Sequence, residues 1–546
     1  MRVLLTTFNS SYIHKNLALR WLYVAKPEAV FAKIKEFTIK DKVENVIKYV
    51  VKHNFNVVAI STYIWNANET KDLVLALDKL DKDIKVILGG PEVTYENDEW
   101  FDLPIDGIIL GEGEKVLWDY ILEGDTTYVK KAKGEFKPIR KEDIAYLETL
   151  PSPYNLPIDQ ASMDKQYLYV EASRGCPFKC SYCLSSLDNQ VRFFSMEYIN
   201  QIFEDVKHYK INQVKFLDRT FNAHKKRTKQ LYAMLENYPN VESFQVEIVA
   251  DKLSSDLIEM IIDKKNRHRF RYEIGIQSFN QKTLESVDRS QDNDLVKEIM
   301  KIFLANDVVI HADLIAGLPY EGLESFKDSF NQLAEIYPTE LQLGILKLLK
   351  GTKMKREGIE LGYLYDKNPP YEVYKTPWLN KDEMDYINVV AKGVDRTLNR
   401  QLFYYTIRYL SKAYKANMFL MYYDIGMIFE ELGISYQKHD VFSEVYNKFK
   451  HLVDQDVFKT ILNIDYFFQE KQKPKILFKE ERAKDLNKRI VAGGYFSQQE
   501  VYSYGRVFKD YRVEDGVILA LFNAHQNPCD IYTINFKEKS CQKISF

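Results

Sequence analysis

Over the first 122 residues, short apolar runs alternate with amphipathic stretches. The apolar runs at 3–8, 34–38, 57–62, 86–88 and 107–110 are short and suited to buried parallel strands. Between them, 42–52 and 68–80 space their apolar residues as helices do. This rhythm predicts a doubly wound α/β (Rossmann-like) domain. Its ligand crevice belongs at the strand carboxyl ends, where Ser61-Thr62-Tyr63, Gly89-Gly90-Pro91-Glu92 and Gly111-Glu112-Gly113-Glu114 fall.

The rhythm stops over 123–166, where Lys130, Lys131 and Lys133 precede Pro138, Pro151, Pro153 and Pro157. Proline removes a donor and fixes φ, so this stretch reads as a linker. Strand-like runs return at 167–171, 214–218, 244–249, 272–277, 309–315 and 341–345, each but the last followed by a helical pattern. Six such units over 167–351 predict a partial (βα)6 barrel with its site at the strand carboxyl ends. Residues 352–546 turn helical and aromatic, predicting a mainly helical C-terminal domain. Two β-rich runs, 517–522 and 531–536, predict a closing pair of strands. The lysine- and arginine-rich stretch 470–489 reads as a solvated helix or loop.

Length and composition narrow the class. At 546 residues the chain fits three or four domains. With 46% apolar and 28% charged residues it is an ordinary globular chain. A net charge of -2 supplies no field to attract nucleic acid, so no nucleic-acid partner is expected. The start of the chain turns polar after one short apolar run and no 18-residue apolar stretch occurs. The expectation is therefore a cytoplasmic protein without a membrane span. The 38 tyrosines and 32 phenylalanines could build cores or line an apolar pocket.

The five cysteines are Cys176, Cys180, Cys183, Cys529 and Cys541. Three of them stand as C-x3-C-x2-C in Arg174-Gly175-Cys176-Pro177-Phe178-Lys179-Cys180-Ser181-Tyr182-Cys183, directly after an expected strand. A disulfide framework needs more cysteines, spread more widely. A zinc site needs a fourth cysteine or histidine close by, and the nearest histidines downstream, His208 and His224, would have to fold back. Three thiolates on one loop suit three corners of a cubane iron–sulfur cluster. With no fourth cysteine nearby, one iron is left open to an outside chelator such as the amine and carboxylate of an amino acid.

C-x3-C-x-aromatic-C, with Tyr182 as the aromatic, resembles the signature of radical S-adenosylmethionine enzymes. Together with the N-terminal doubly wound domain, residues 1–350 resemble the cobalamin-binding group of that superfamily, and the last third resembles an uncharacterised extension of one subgroup. The resemblance implies three cofactors: a 4Fe-4S cluster on Cys176, Cys180 and Cys183, S-adenosylmethionine, and cobalamin. It implies reductive cleavage of S-adenosylmethionine to a 5′-deoxyadenosyl radical and methylation of an unactivated carbon in a small molecule. It also implies an electron donor such as flavodoxin or ferredoxin. Cyclisation or rearrangement without methyl transfer, and a non-catalytic sensor, use the same parts. A methylthiotransferase is disfavoured, because residues 1–175 contain no cysteine for an auxiliary cluster.

By the same likeness, Tyr182 belongs to the cofactor pocket and Asp218 replaces the usual Gly-Gly-Glu that binds the methionine amine. Glu247 is assigned to the ribose hydroxyls. The runs Glu273-Ile-Gly275-Ile-Gln277 and Asp313-Leu-Ile-Ala-Gly317-Leu318-Pro319 are similar to the oxygen-independent coproporphyrinogen oxidase branch. That similarity puts Gln277 on ribose, Arg289 on the methionine carboxylate and Asp313 in the cofactor pocket. A guanidinium fork suits a carboxylate. Each acid taken singly is equally a surface group or an ion-pair partner, Gly317-Leu318-Pro319 a turn, and His311 a core histidine.

For cobalamin, the family's loops point to Ser61, Thr62, Gly89, Gly90, Gly111 and Glu112, with Asn66, Glu92 and Thr94 as further lining. Glycines there let backbone approach a ligand, although many βα turns contain them. The D-x-H-x-x-G loop that ligates cobalt from below is missing. Asn9-Ser10-Ser11-Tyr12-Ile13-His14-Lys15-Asn16 stands in its place, so His14 is either a lower ligand or a helix-start residue.

Overall fold

The computed structural model describes residues 1–80, 82–478, 483–522 and 529–544. The chain divides into two compact units, residues 1–322 with 345–380, and residues 323–344 with 381–546.

In the first unit, strands β1 (Arg2–Asn9), β2 (Phe31–Thr38), β3 (Val57–Ser61), β4 (Lys85–Gly89) and β5 (Gly107–Ile109) form a parallel sheet in the order β2-β1-β3-β4-β5. Leu4, Phe8, Val58, Ile60 and Leu88 pack on one face and Val3, Leu5, Val57, Ala59 and Ile87 on the other. This two-sided burial explains why these runs are continuously apolar. The chain turns from one side of β1 to the other between β2 and β3. The ends of β1 and β3 therefore flank the topological switch point, where such sheets open a crevice.

The stretch expected to be a linker carries structure. Val129–Lys130 forms β6, antiparallel to β5, and residues Ile144–Thr149 form a helix. Lys130 reaches back to Asn97 at 2.9 Å, and Tyr154 and Leu156 are buried. A two-residue strand held by backbone pairing has no periodicity to betray it.

Strand β7 (Leu168–Val170) opens a second parallel sheet. A short antiparallel pair, β8 (Ser173–Arg174) with β9 (Arg192–Phe193), then brackets the cysteine loop. The sheet continues through β10 (Ile211–Phe216), β11 (Val241–Ile248), β12 (Phe270–Gln277) and β13 (Val309–Ala316), in the order β13-β12-β11-β10-β7. Burial alternates along β11, β12 and β13, so one face packs apolar and the other carries the polar residues. Register sets Glu247 beside Glu273, Glu273 beside His311 and Gly275 beside Asp313. A strand forms where the sixth is expected, β14 (Glu340–Ile345). Beyond it, residues 345–380 include a small hairpin, β15 (Leu364–Tyr365) with β16 (Val373–Lys375).

The second unit is mainly helical, as expected, but it closes with four strands rather than two. β17 (Gly505–Asp510), β18 (Gly516–Leu521), β19 (Asp530–Asn535) and β20 (Ser540–Ile544) form an antiparallel meander. The outer strand β20 is polar and mostly exposed, so no apolar pattern marks it. Helices Lys381–Arg396 and Met418–Leu432 approach at backbone distance. A Cβ on Gly393 would lie 2.2 Å from the Tyr422 carbonyl oxygen, and one on Gly426 2.1 Å from that of Val389. Part of the basic stretch, 479–482, lies outside the described residues. Among the described residues, no helix is long and apolar enough to cross a membrane.

Candidate functional site

A cleft of about 790 Å³ opens where the N-terminal sheet faces the cysteine loop. One wall is built from the ends of the parallel strands and the loops that follow: Asn9 and Ser10 at the end of β1, Ser61 and Tyr63 at that of β3, Gly89 and Gly90 at that of β4, and Gly111 and Glu112 after β5. The opposite wall comes from the barrel side, with Tyr169, Ser173, Arg174, Gly175, Leu184 and Leu217. Both families of strands thus present their carboxyl ends to one space, whose volume lies toward the upper end for small-molecule sites.

The cysteine loop is held by its backbone. Cys176 N–H donates to Asp188 O at 3.0 Å, Ser181 N–H to Val287 O at 2.9 Å, and Cys183 N–H to Cys180 O at 3.1 Å. Gly175 has φ +89°, and a Cβ there would lie 2.3 Å from Gln190 O, so glycine is required before the first cysteine. Cys176 and Cys180 are buried and Cys183 is partly exposed. Burial pushes the Cys176 thiol up, and charge on Cys183 and Cys180 adds to the rise. Arg289 Nη1 lies 3.8 Å from Cys180 Sγ. Among the described residues, no three His, Cys, Asp or Glu side chains converge on a single metal ion. A cubane needs no such convergence, since its iron corners each take a separate thiolate.

The polar face of the barrel sheet meets this loop. Arg289 Nη2 donates to Gly275 O and, at 3.0 Å, to Gln291 Oε1. Burial works against the Arg289 charge, but Tyr182 and Cys180 hold it protonated; burial pushes Tyr182 well above its ordinary value. Gln277 sits at φ +68° beside an irregularity in the β12–β13 register, and its buried Oε1 has no hydrogen-bond partner. An unsatisfied buried amide oxygen at a strand end fits a donor supplied by a ligand. Glu247 lies 3.6 Å from Arg219, and burial raises it, opposed by Arg219 and reinforced by Glu273 and Asp313. Asp313 faces His311 at 3.1 Å, so this histidine belongs to the polar face.

Asp218 stands elsewhere. Its carboxylate accepts from Ala172 N at 2.8 Å and from Ser173 Oγ, and burial pushes it up to about 7. It fastens the entry to the cysteine loop, while its neighbours Leu217 and Arg219 line the cleft.

On the N-terminal wall, Gly90 and Gly111 are demanded by the protein rather than by a ligand. A Cβ on Gly90 (φ +105°) would meet Thr62 O at 2.5 Å, and one on Gly111 (φ +90°) Arg140 O at 2.3 Å. Thr62 is fully buried with its Oγ1 unpartnered. Asn66 turns inward to Thr7, Phe8 and Ser61, Glu92 pairs with Lys350, and Thr94 lines the cleft. His14 Nδ1 lies 2.6 Å from Tyr169 OH; burial and Lys215 both lower its pKa. That nitrogen is therefore engaged with the barrel.

Sequence reasoning missed an ion-pair lattice that joins the two walls. Arg174 bonds Glu112, Glu114 and Glu171 at 2.9, 2.8 and 3.0 Å, and Arg192 bonds Glu112 and Asp188. Burial opposes the Arg174 charge, but Glu114, Glu171 and Glu112 more than offset it. Burial would raise Glu112 too, yet Arg192 and Arg174 hold it below its usual range. Only the place of Arg174, two residues before Cys176, hinted at this role.

Residues 170–333 match the model of the radical SAM superfamily, and residues 4–120 that of the B12 binding domain. The chain carries the two domains of a cobalamin-binding radical S-adenosylmethionine enzyme. Residues 360–512 match a protein family of unknown function, DUF4080. The cobalamin-dependent radical SAM methyltransferase TokK of Streptomyces tokunonensis is 24% identical over 53% of this chain and 47% of its own length. The chain thus spans about half the length of that curated relative. Among solved structures, OxsB with aqua-cobalamin and S-adenosylmethionine bound has a TM-score of 0.60 at 14% identity, covering 91% of this chain and 81% of that one. TsrM from Kitasatospora setae, with tryptophan and an S-adenosylmethionine analogue, gives 0.53 at 14% identity, covering 67% and 77%. For a radical SAM enzyme with a B12 binding domain, the cofactors are a 4Fe-4S cluster, S-adenosylmethionine and cobalamin. The residues fit them: three thiols on a rigid loop, an unsatisfied Gln277 oxygen, and a wide cleft at the switch point.

Proposed function

We propose that this radical S-adenosylmethionine enzyme transfers a methyl group to an unactivated carbon of a small molecule. One observation carries the reading: a single cleft is shared by the carboxyl ends of the B12 domain strands and by the cysteine loop of the barrel. When bound, the cluster and S-adenosylmethionine supply radical initiation, and cobalamin supplies a methyl carrier. The protein positions these groups and keeps water out. Cys176, Cys180 and Cys183 would hold the cluster, with the Arg289 guanidinium beside Cys180. Gln277, Glu247, Asp313 and Tyr182 surround the nucleotide side, with Arg289 on its carboxylate. Asp218 acts from behind, fixing the strand exit through Ala172 and Ser173. Ser61, Gly89 and the backbone around Gly90 and Gly111 form the cobalamin wall, with Glu112 rigidified by Arg174 and Arg192.

Tyr169 holds Nδ1 of His14 and leaves Nε2 untied, and the reading does not depend on a histidine below cobalt. Residues 1–122, 123–166, 167–351 and 352–546 are taken as the B12-like domain, its connecting segment, the barrel and the extension. A flavodoxin or ferredoxin supplies the electron, and no nucleic acid takes part.

The experiment is anaerobic reconstitution with iron, sulfide and cobalamin, then incubation with methyl-labelled S-adenosylmethionine, reductant and a small-molecule extract. Label in a small-molecule product together with 5′-deoxyadenosine supports methylation. 5′-Deoxyadenosine with an unlabelled product indicates rearrangement or cyclisation, and neither signal rejects radical catalysis.

A further inference from the structure

Beside the main cleft lies a smaller cavity of about 240 Å³. It is bounded by Tyr63, Trp65 and Pro91 from the N-terminal domain, Leu184 and Arg219 from the barrel side, and Lys350 from the returning segment 345–380. Tyr63, Trp65, Pro91, Leu184 and Arg219 line both spaces, so the cavity adjoins the cleft at the end nearest the cysteine loop. Leu184 follows Cys183 directly.

The lining divides into a platform and a charge. Trp65 and Tyr63 stack with centroids 4.4 Å apart and planes 10° from parallel, and Tyr63 OH is fixed by Asn16 at 3.2 Å. Trp65 is nonetheless 47% exposed, although tryptophan is on average a highly buried residue. Ile64, between them, packs against the buried cluster that includes Val287, Leu318 and Leu346, so the platform is anchored to the barrel.

The two cations are unequal. Lys350 is buried and bonds Glu92 and Glu99, each at 2.9 Å. Arg219 has an exposed side chain and faces Glu247 only at 3.6 Å, beyond hydrogen-bond distance. Of the charged residues that bound the cavity, Arg219 and Lys350 stand against Glu92 alone, and Lys350 is bonded to that carboxylate, so Arg219 is the cation left to face the space. A guanidinium fork there can take both oxygens of a carboxylate.

We infer that this cavity holds the substrate, and that the substrate is a small carboxylate with a flat apolar body, its anion on Arg219 and its body on Trp65. The size agrees: the space is below the range of drug-sized sites. The inference rests on the radical enzyme reading in naming the occupant a substrate; the chemistry of the site stands on Arg219 and Trp65.

The test uses the full chain loaded with cobalamin and titrates 1-naphthylacetate and its neutral amide, 1-naphthylacetamide, by calorimetry. The carboxylate should bind at least tenfold more tightly than the amide. Arg219→Gln should remove that preference, Arg219→Lys should keep most of it, and Trp65→Ala should weaken both probes. Thermal unfolding of each variant reports whether the fold survives. Equal binding of the two probes, binding of neither, or a preference that persists in Arg219→Gln overturns the proposal. Formation of 5′-deoxyadenosine by the unaltered reconstituted protein reports separately on the radical reading, so the two failures are distinguishable.

Discussion

At the scale of single residues, the structure separates groups that meet cofactors from groups that hold them in place. Cys180 belongs to the first kind, and Cys180→Ala should abolish cluster absorbance and lower bound iron while leaving cobalamin uptake largely intact. Full iron retention would contradict cluster ligation. Asp465 belongs to the second kind. Buried in the second unit, it accepts from Tyr405 N at 3.1 Å and Thr406 N at 2.8 Å, satisfying orphan donors at the start of helix Tyr404–Ala413. Burial pushes it up to about 7. A carboxyl raised in the folded state stabilises most below its ordinary range, and that contribution is lost as pH climbs to about 7. Urea unfolding of wild type and Asp465→Asn between about pH 5 and 8 should therefore show the wild-type advantage shrinking up to about pH 7 and level above it.

At the scale of elements, close packing sets the firmest expectations. Helices Lys381–Arg396 and Met418–Leu432 meet through Gly393 and Gly426, where added methyl groups would strike carbonyl oxygens. Gly393→Ala or Gly426→Ala should lower stability by about 1–3 kcal/mol, read as a fall in unfolding midpoint. Elements of this kind show how far sequence pattern reaches. Strands β1, β3, β4 and β5 were legible because burial on both faces leaves apolar runs, and β2, at the sheet edge, because its apolar residues alternate. The cysteine loop was legible because its spacing is itself the chemistry. β6 and β20 were not, since one is two residues long and the other carries its pairing on polar residues. The same limit hid the inward engagement of Asp218 and the tie between His14 and Tyr169, because hydrogen bonds across 45 and 155 positions leave no periodic trace.

At the scale of the molecule, the first unit is tied together by its returning segment. Lys350 and Glu92 are both buried and bonded, with Tyr371 OH donating to the same carboxylate. Lys350→Met strands that carboxylate and should cost about 3–5 kcal/mol, with faster proteolysis and poorer cobalamin retention; adding Glu92→Gln should recover part of the loss. The order in which the chain visits its two units has a genetic consequence. Residues 323–344 belong with 381–546, while 345–380 belong with 1–322. No single cut separates the halves: a break anywhere between 344 and 381 leaves helix Leu323–Ala334 on one fragment and its neighbour Met418–Leu432 on the other. Recombining the last third onto another catalytic core would need residues 323–344 to travel with 381–546 across the intervening segment.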